Sequence, residues 1–211
     1  MRVILFGATG MVGQGVLREC LLDPGVEAVL SVGRTALGVS HPKLSELVLA
    51  DLFALEPIEG FDACFFCLGV SSVGMKEADY RRVTYDLTLS IAGKVPEDLT
   101  FVYVSGEGTD AEGRSMWARV KGATENALLA MPFRAYMFRP GYIQPLHGVR
   151  SKTRWYRVAY VVVAPVYPLL RRLFPATTTE QIGRAMLAVA RYGSAKRVLR
   201  TRDINAIAGG S

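Results

Sequence analysis

Cysteine, histidine and tryptophan are scarce in this 211-residue chain, at three, two and two residues. Cys20, Cys64 and Cys67 are too few for a disulfide framework and suit a reducing compartment. Cys64 and Cys67 stand as C-x-x-C, but inside Ala63 to Leu68, an apolar run that reads as a buried strand. Residues three apart on a strand face opposite sides of the sheet. His41 and His147 are the only imidazoles, so no four-ligand zinc set can be assembled. The pair is read as packed core cysteines, and no metal site is expected. A secretory signal peptide is also missing, because the first strand begins at Val3 and a glycine turn interrupts it; the expected location is cytoplasmic. The uncharged run Val158 to Leu170, thirteen residues, is too short to span a bilayer, and Pro165 and Pro168 break it.

What the chain has is a large apolar fraction, 50% against 21% charged residues, which excludes disorder and suffices for one α/β core. Strand-like and helix-like stretches alternate: strands at Val3–Phe6, Ala28–Val32, Leu47–Ala50, Ala63–Leu68, Phe101–Val104 and Ala135–Phe138. Helices are expected at Met11–Leu22, Lys76–Lys94, Ser115–Ala130 and Gln181–Tyr192, the last opened by N-cap candidates among Thr177, Thr178 and Thr179. Val198 and Leu199 are expected to close the sheet. This order is that of a doubly wound parallel sheet with crossover helices, a three-layer α/β/α domain. Residues 1–211 read as one domain, with a small substrate-side lid at about 141–180.

The opening stretch MRVILFGATGMVGQG carries the chemistry. Val3 to Phe6 forms a strand buried on both faces, and glycines follow at Gly7, Gly10 and Gly13 before a helical apolar period sets in. Strand, glycine turn and helix in that order make a diphosphate cradle, where free amides and the helix dipole meet negative charge. Gly7, Thr9, Gly10, Met11, Val12 and Gly13 are the residues expected there. No Lys-Ser or Lys-Thr pair follows the glycines, so this is not a P-loop.

At the end of the second strand, folds that prefer NAD carry an acidic residue for the ribose hydroxyls. Here the chain reads Ser31-Val32-Gly33-Arg34-Thr35. A carboxylate would repel a 2′-phosphate, whereas Arg34 can pair with it. NADP(H) is therefore the expected cofactor, with NAD(H) second. Asp51 and Leu52, past the third strand, are placed near the adenine, and Leu68 and Gly69, ending the fourth, near the ribose and phosphates. Pro140 and Ile143 are counted among the cofactor-binding residues.

The chain resembles an atypical short-chain dehydrogenase/reductase with an NAD(P)-binding Rossmann fold. It is similar to the branch holding the Tat-interacting-protein-like oxidoreductases and the bacterial epimerase-like proteins. GATGMVG, Gly33-Arg34, CLGV at Cys67–Val70, VYVSGEG at Val102–Gly108, WARVKGATEN at Trp117–Asn126 and FRPGYIQP at Phe138–Pro145 carry the likeness. The resemblance implies a serine, a tyrosine and a lysine, the last two spaced Y-x-x-x-K on one helix face. Ser105 matches the serine, which orients the substrate oxygen, and Lys121 the lysine, which binds the nicotinamide ribose and lowers the tyrosine's pKa. The tyrosine position holds Trp117, whose indole cannot give up its proton near neutral pH. Three readings stay open: another tyrosine acts, Tyr142 or Tyr85; Lys121 and Ser105 suffice, with water as proton source; or the protein binds NADPH without redox chemistry. The implied functions are a reductase of a small, mostly apolar carbonyl compound or a non-catalytic NADPH-binding regulator. A nucleotide-sugar epimerase is weaker, because it would need the missing tyrosine.

The stretch Gly148–Pro175 combines Arg150, Lys152, Arg154 and Arg157 with an apolar run and a second basic pair, Arg171-Arg172. It reads as a lid over the pocket or a homodimer contact, with a membrane-surface segment at 150–172, anchored by Trp155 and Tyr156, as the sharper alternative. The net charge of +6 is accounted for in part by cofactor phosphates, and no nucleic-acid partner is expected.

Overall fold

The computed structural model describes residues 1–148 and 176–210. The lid and membrane-surface readings of 150–172, with Trp155 and Tyr156, lie outside the described residues, as does most of the 141–180 region.

Strands β1 (Arg2–Phe6), β2 (Ala28–Gly33), β3 (Leu44–Val48), β4 (Ala63–Phe66), β5 (Thr100–Val104), β6 (Arg134–Arg139) and β9 (Val198–Arg200) form one sheet in the order β3-β2-β1-β4-β5-β6-β9. Every pair in it is parallel. β7 (Tyr142–Gln144) and β8 (Ala176–Thr178) pair separately, also parallel. The topology reverses between β1 and β4, which opens a crevice at the carboxyl ends of the strands.

The apolar runs explain the layering. Along β1, Val3 and Leu5 pack into one core and Ile4 and Phe6 into the other. Ala63 and Phe65 alternate in the same way with Cys64 and Phe66 on β4. On one face lie α1 (Met11–Leu22) and α5 (Thr179–Tyr192), which contribute Val16, Leu17, Ile182 and Met186. On the other lie α2 (Glu77–Arg81), a π-helical turn over Arg82–Asp86, α3 (Leu87–Ala92) and α4 (Met116–Leu129), with Ile91 and Leu128 in the core. The two C-x-x-C cysteines follow the alternation, Cys64 in one core and Cys67 against the other.

Several boundaries differ from expectation. β3 begins three residues earlier than Leu47 because it is an edge strand: paired only with β2, it carries Ser45 and Glu46 where a central strand would be apolar. β4 ends at Phe66; Cys67 N still donates to Phe6 O at 2.9 Å, after which the chain leaves the sheet. The cap of α5 is Thr178, in a reciprocal box with Gln181, both bonds 3.0 Å. The last helix, α6 (Thr201–Gly209), and the β7–β8 pair were not expected.

Two glycines fix how β1 meets α1. Gly7 turns the chain at φ +82°, and a Cβ there would stand 2.7 Å from the Cys67–Leu68 peptide. A Cβ on Gly13 would stand 2.1 Å from the Gly7 carbonyl oxygen. Gly13→Ala is therefore expected to cost about 2–3 kcal/mol in urea unfolding, because backbone rather than a movable side chain must give way. Gly69→Ala, whose new methyl meets nothing within 4 Å, should stay within about 0.5 kcal/mol of the parent.

Candidate functional site

α1 starts at Gly10 with no side-chain cap and no acidic residue in its first turn. The amides of its first turn have no intrahelical acceptors, as at any helix start, and here they open onto the crevice beside Thr9, Met11 and Val12. The residues present fit a diphosphate: an uncapped helix end, a positive-φ glycine before it and no carboxylate to repel the charge. Gly13 does not line the crevice; its part is the close approach to Gly7 described above.

From this centre the crevice runs in two directions. Toward β2 it is a cleft of ≈ 610 Å³ lined by Arg34, Asp51, Leu52, Phe53, Arg82 and Val83, besides the glycine turn. Arg34 is exposed, and among the described residues its guanidinium makes no ion pair or hydrogen bond. Asp51 caps the short 3-10 turn Leu52–Ala54 by accepting from Phe53 N at 3.0 Å. Arg82, on the π-helical turn, was not foreseen; its guanidinium stands 5.7 Å from the centroid of Phe53. Nothing in a lone arginine on a polar helix face distinguishes it from a solvated one until the turn brings it to Arg34's cleft.

Toward β5 and β6 the crevice is a cleft of ≈ 490 Å³ lined by Val104, Ser105, Glu107, Lys121, Pro140 and Ile143, and it shares Gly10, Met11, Cys67, Leu68 and Gly69 with the first. Burial pushes the Cys67 thiol well above its ordinary range, so it is a neutral wall here. Lys121, on α4, donates from Nζ to the Ser105 carbonyl oxygen at 2.5 Å. Burial lowers its pKa to about 8, while the nearby Glu125 charge opposes that fall.

The other catalytic candidates fare differently. Ser105 lines the cleft, but its hydroxyl points inward to Glu125 and lies 3.2 Å from Phe138 O. The hydroxyl is thus committed inside the protein in this arrangement, while the residue itself lines the cleft. Glu125, 1% exposed, is held by Arg139, whose Nε is 3.0 and 3.1 Å from its two oxygens. Tyr142, half-buried on β7, is not among the described residues that line either cleft, whereas its neighbour Ile143 lines the second. Tyr85 lies beneath the Arg81 guanidinium, 4.1 Å from ring to cation, and also lines neither. Trp117, one turn before Lys121, packs toward Gly108, where an added Cβ would be 3.2 Å from its Cη2. Glu125 and Arg139 were missed; the i,i+4 spacing of Lys121 and Glu125 was the signal that could have found the first.

No family model matches the chain. It is 30% identical over 166 residues to the mitochondrial protein fmp52 of Emericella nidulans, a match covering 72% of this chain and 70% of that protein. Among solved structures, a short-chain dehydrogenase/reductase from Burkholderia thailandensis superposes with a TM-score of 0.69 at 16% identity, covering 97% of this chain and 92% of that one. UDP-glucuronic acid 4-epimerase from Bacillus cereus, in complex with NAD, superposes with a TM-score of 0.67 at 12% identity, covering 95% and 76%. These likenesses bear out the α/β/α Rossmann fold. Further fungal relatives of the same name are mitochondrial as well, which overturns the cytoplasmic expectation. That expectation rested on a missing secretory signal, which does not discriminate among compartments reached by other routes. The chain belongs to the Fmp52 family.

Proposed function

We propose that this protein is an NADP(H)-dependent oxidoreductase acting on a small, mostly apolar carbonyl compound, with Lys121 as its proton-handling side chain. The observation that carries this reading is the continuity of the crevice, with the Arg34 guanidinium, unpaired among the described residues, at one end and the half-buried Lys121 ammonium at the other. Arg34 would hold a 2′-phosphate bidentately, assisted by Arg82 from across the cleft. The α1 amides would hold the diphosphate. When bound, the dinucleotide supplies the hydride. Lys121 keeps two N–H donors beyond the one given to Ser105: one for the ribose and one for the substrate oxygen. An ammonium titrating near 8 is a competent general acid at neutral pH, and it regains its proton from water after each transfer. Val104, Pro140 and Ile143 give the cleft its apolar wall.

A second reading, a nucleotide-binding regulator without turnover, is favoured by the inward hydroxyl of Ser105 and the lack of a tyrosine lining either cleft among the described residues.

Titration with NADPH and NADH, followed by tryptophan fluorescence in a Trp155→Phe background, is the primary test. NADPH should bind at least tenfold more tightly than NADH, and Arg34→Ala should erase most of that preference while leaving NADH nearly unchanged, as loss of about 1.5–3 kcal/mol of charged hydrogen bonding implies. Equal affinities would remove the assignment of Arg34. Nucleotide binding and carbonyl turnover should both fall as pH rises through about 8, since Lys121 is cationic below that value and neutral above it. Lys121→Met should abolish the titration. Trp117→Tyr is expected to leave turnover unchanged, because the ring at 117 packs toward Gly108 rather than into the cleft; a tenfold gain in a carbonyl-substrate screen would show instead that a tyrosine belongs there.

A further inference from the structure

Glu125 is almost wholly out of water, where a carboxylate is costly unless every oxygen is paired. A neutral, apolar residue would fill a helix–sheet interface as stably, so packing alone does not account for a charge at this place. The pairing around it converges on one peptide. Arg139 grips the carboxylate through Nε and Nη2. The Ser105 hydroxyl reaches the same carboxylate. Ser105 N donates to Phe138 O at 2.8 Å, and the Ser105 carbonyl accepts from Lys121 Nζ at 2.5 Å. Every polar atom of Ser105 is thus held, and the carbonyl cannot rotate away from the lysine. Lys121 and Glu125 are one helical turn apart on the same face of α4.

We infer that Glu125 is a positioning residue for Lys121: held by Arg139 one helical turn from the lysine, it locks, through the Ser105 hydroxyl, the carbonyl that receives the lysine ammonium. The inference rests on reading Lys121 as the working lysine of the crevice. Burial alone drives the lysine toward the neutral amine, and Glu125 is the charge that resists this. Among the described residues, the ionisable groups on or behind the same cleft include Glu107, exposed on the loop after β5, Cys67, whose thiol burial keeps neutral, Arg139 on β6, already spent on Glu125, and Tyr103 on β5, whose phenol burial keeps neutral. A buried carboxylate thereby sets the charge of a lysine that it serves without touching any ligand.

The test is the pH dependence of Lys121 acetylation in the nucleotide-free protein, read by peptide mass spectrometry, with Lys94 and Lys196 as internal references. In the parent the labelling midpoint should lie at about 8. In Glu125→Gln it should fall by about one pH unit, so that Lys121 labels about fivefold faster at pH 7, while the reference lysines do not move. Since Glu125→Gln alone strands the Arg139 charge, the double variant Glu125→Gln/Arg139→Gln, which removes both charges, is run beside it and should shift the same way. An unchanged midpoint in either folded variant would overturn the inference and leave Glu125 a structural ion-pair partner only. The labelling needs no nucleotide: a shifted midpoint in a protein that binds neither NADPH nor NADH would sink the oxidoreductase reading while upholding the Glu125–Lys121 link.

Discussion

The contact on which the molecule depends is the approach of the first turn of α1 to the end of β1. No side chain mediates it: Gly13 lies against the Gly7 carbonyl, and Gly7 in turn lies against the Cys67–Leu68 peptide. Three backbone segments are stacked where most proteins interpose a layer of side chains. This brings the helix start down to the level of the strand ends, so the positive end of the helix dipole opens at the centre of the crevice and not above it. The Arg34 cleft and the Lys121 cleft meet at this point, and each would be an unrelated surface depression if α1 stood a methyl group further out.

The two ends of the crevice work by different electrostatics. At the β2 end the guanidinium of Arg34 is solvated, so its attraction for a phosphate is screened by salt and gains strength only through bidentate geometry. At the β5 end Lys121 is half-buried and Glu125 fully so; burial lowers the lysine's pKa, and the Glu125 charge opposes that fall. Arg139, Glu125, Ser105 and Lys121 form a chain of alternating donors and acceptors that leads from the far side of β6 to the cleft wall.

How much of this was legible in the sequence varies with the range of the interaction concerned. β1, the glycine turn and α1 are local and were read nearly to the residue, and the continuous apolar runs of β4, β5 and β6 announced a sheet covered on both sides. Arg34 followed from its place after β2. Edge strand β3 was displaced because half of its surroundings is solvent, and β7 and β8 were missed because three-residue strands have no periodicity to read. At the site, motif spacing placed Ser105 on the cleft wall but carried no information about its hydroxyl, which turns inward to Glu125. Glu125 reads on paper as an ordinary helix-surface glutamate, and only the packing of α4 on β5 and β6 shows it buried.

The small β7–β8 pair has a consequence for chain length. Its register sets Tyr142 opposite Ala176 and Gln144 opposite Thr178, so the chain on either side of residues 145–175 is clamped together independently of what lies between. Once such ends are joined, lengthening the intervening stretch costs only a slowly growing closure entropy, about 0.6 kcal/mol per doubling. A change in the length of that stretch therefore acts only weakly, through chain closure, on the clamp that β7 and β8 form.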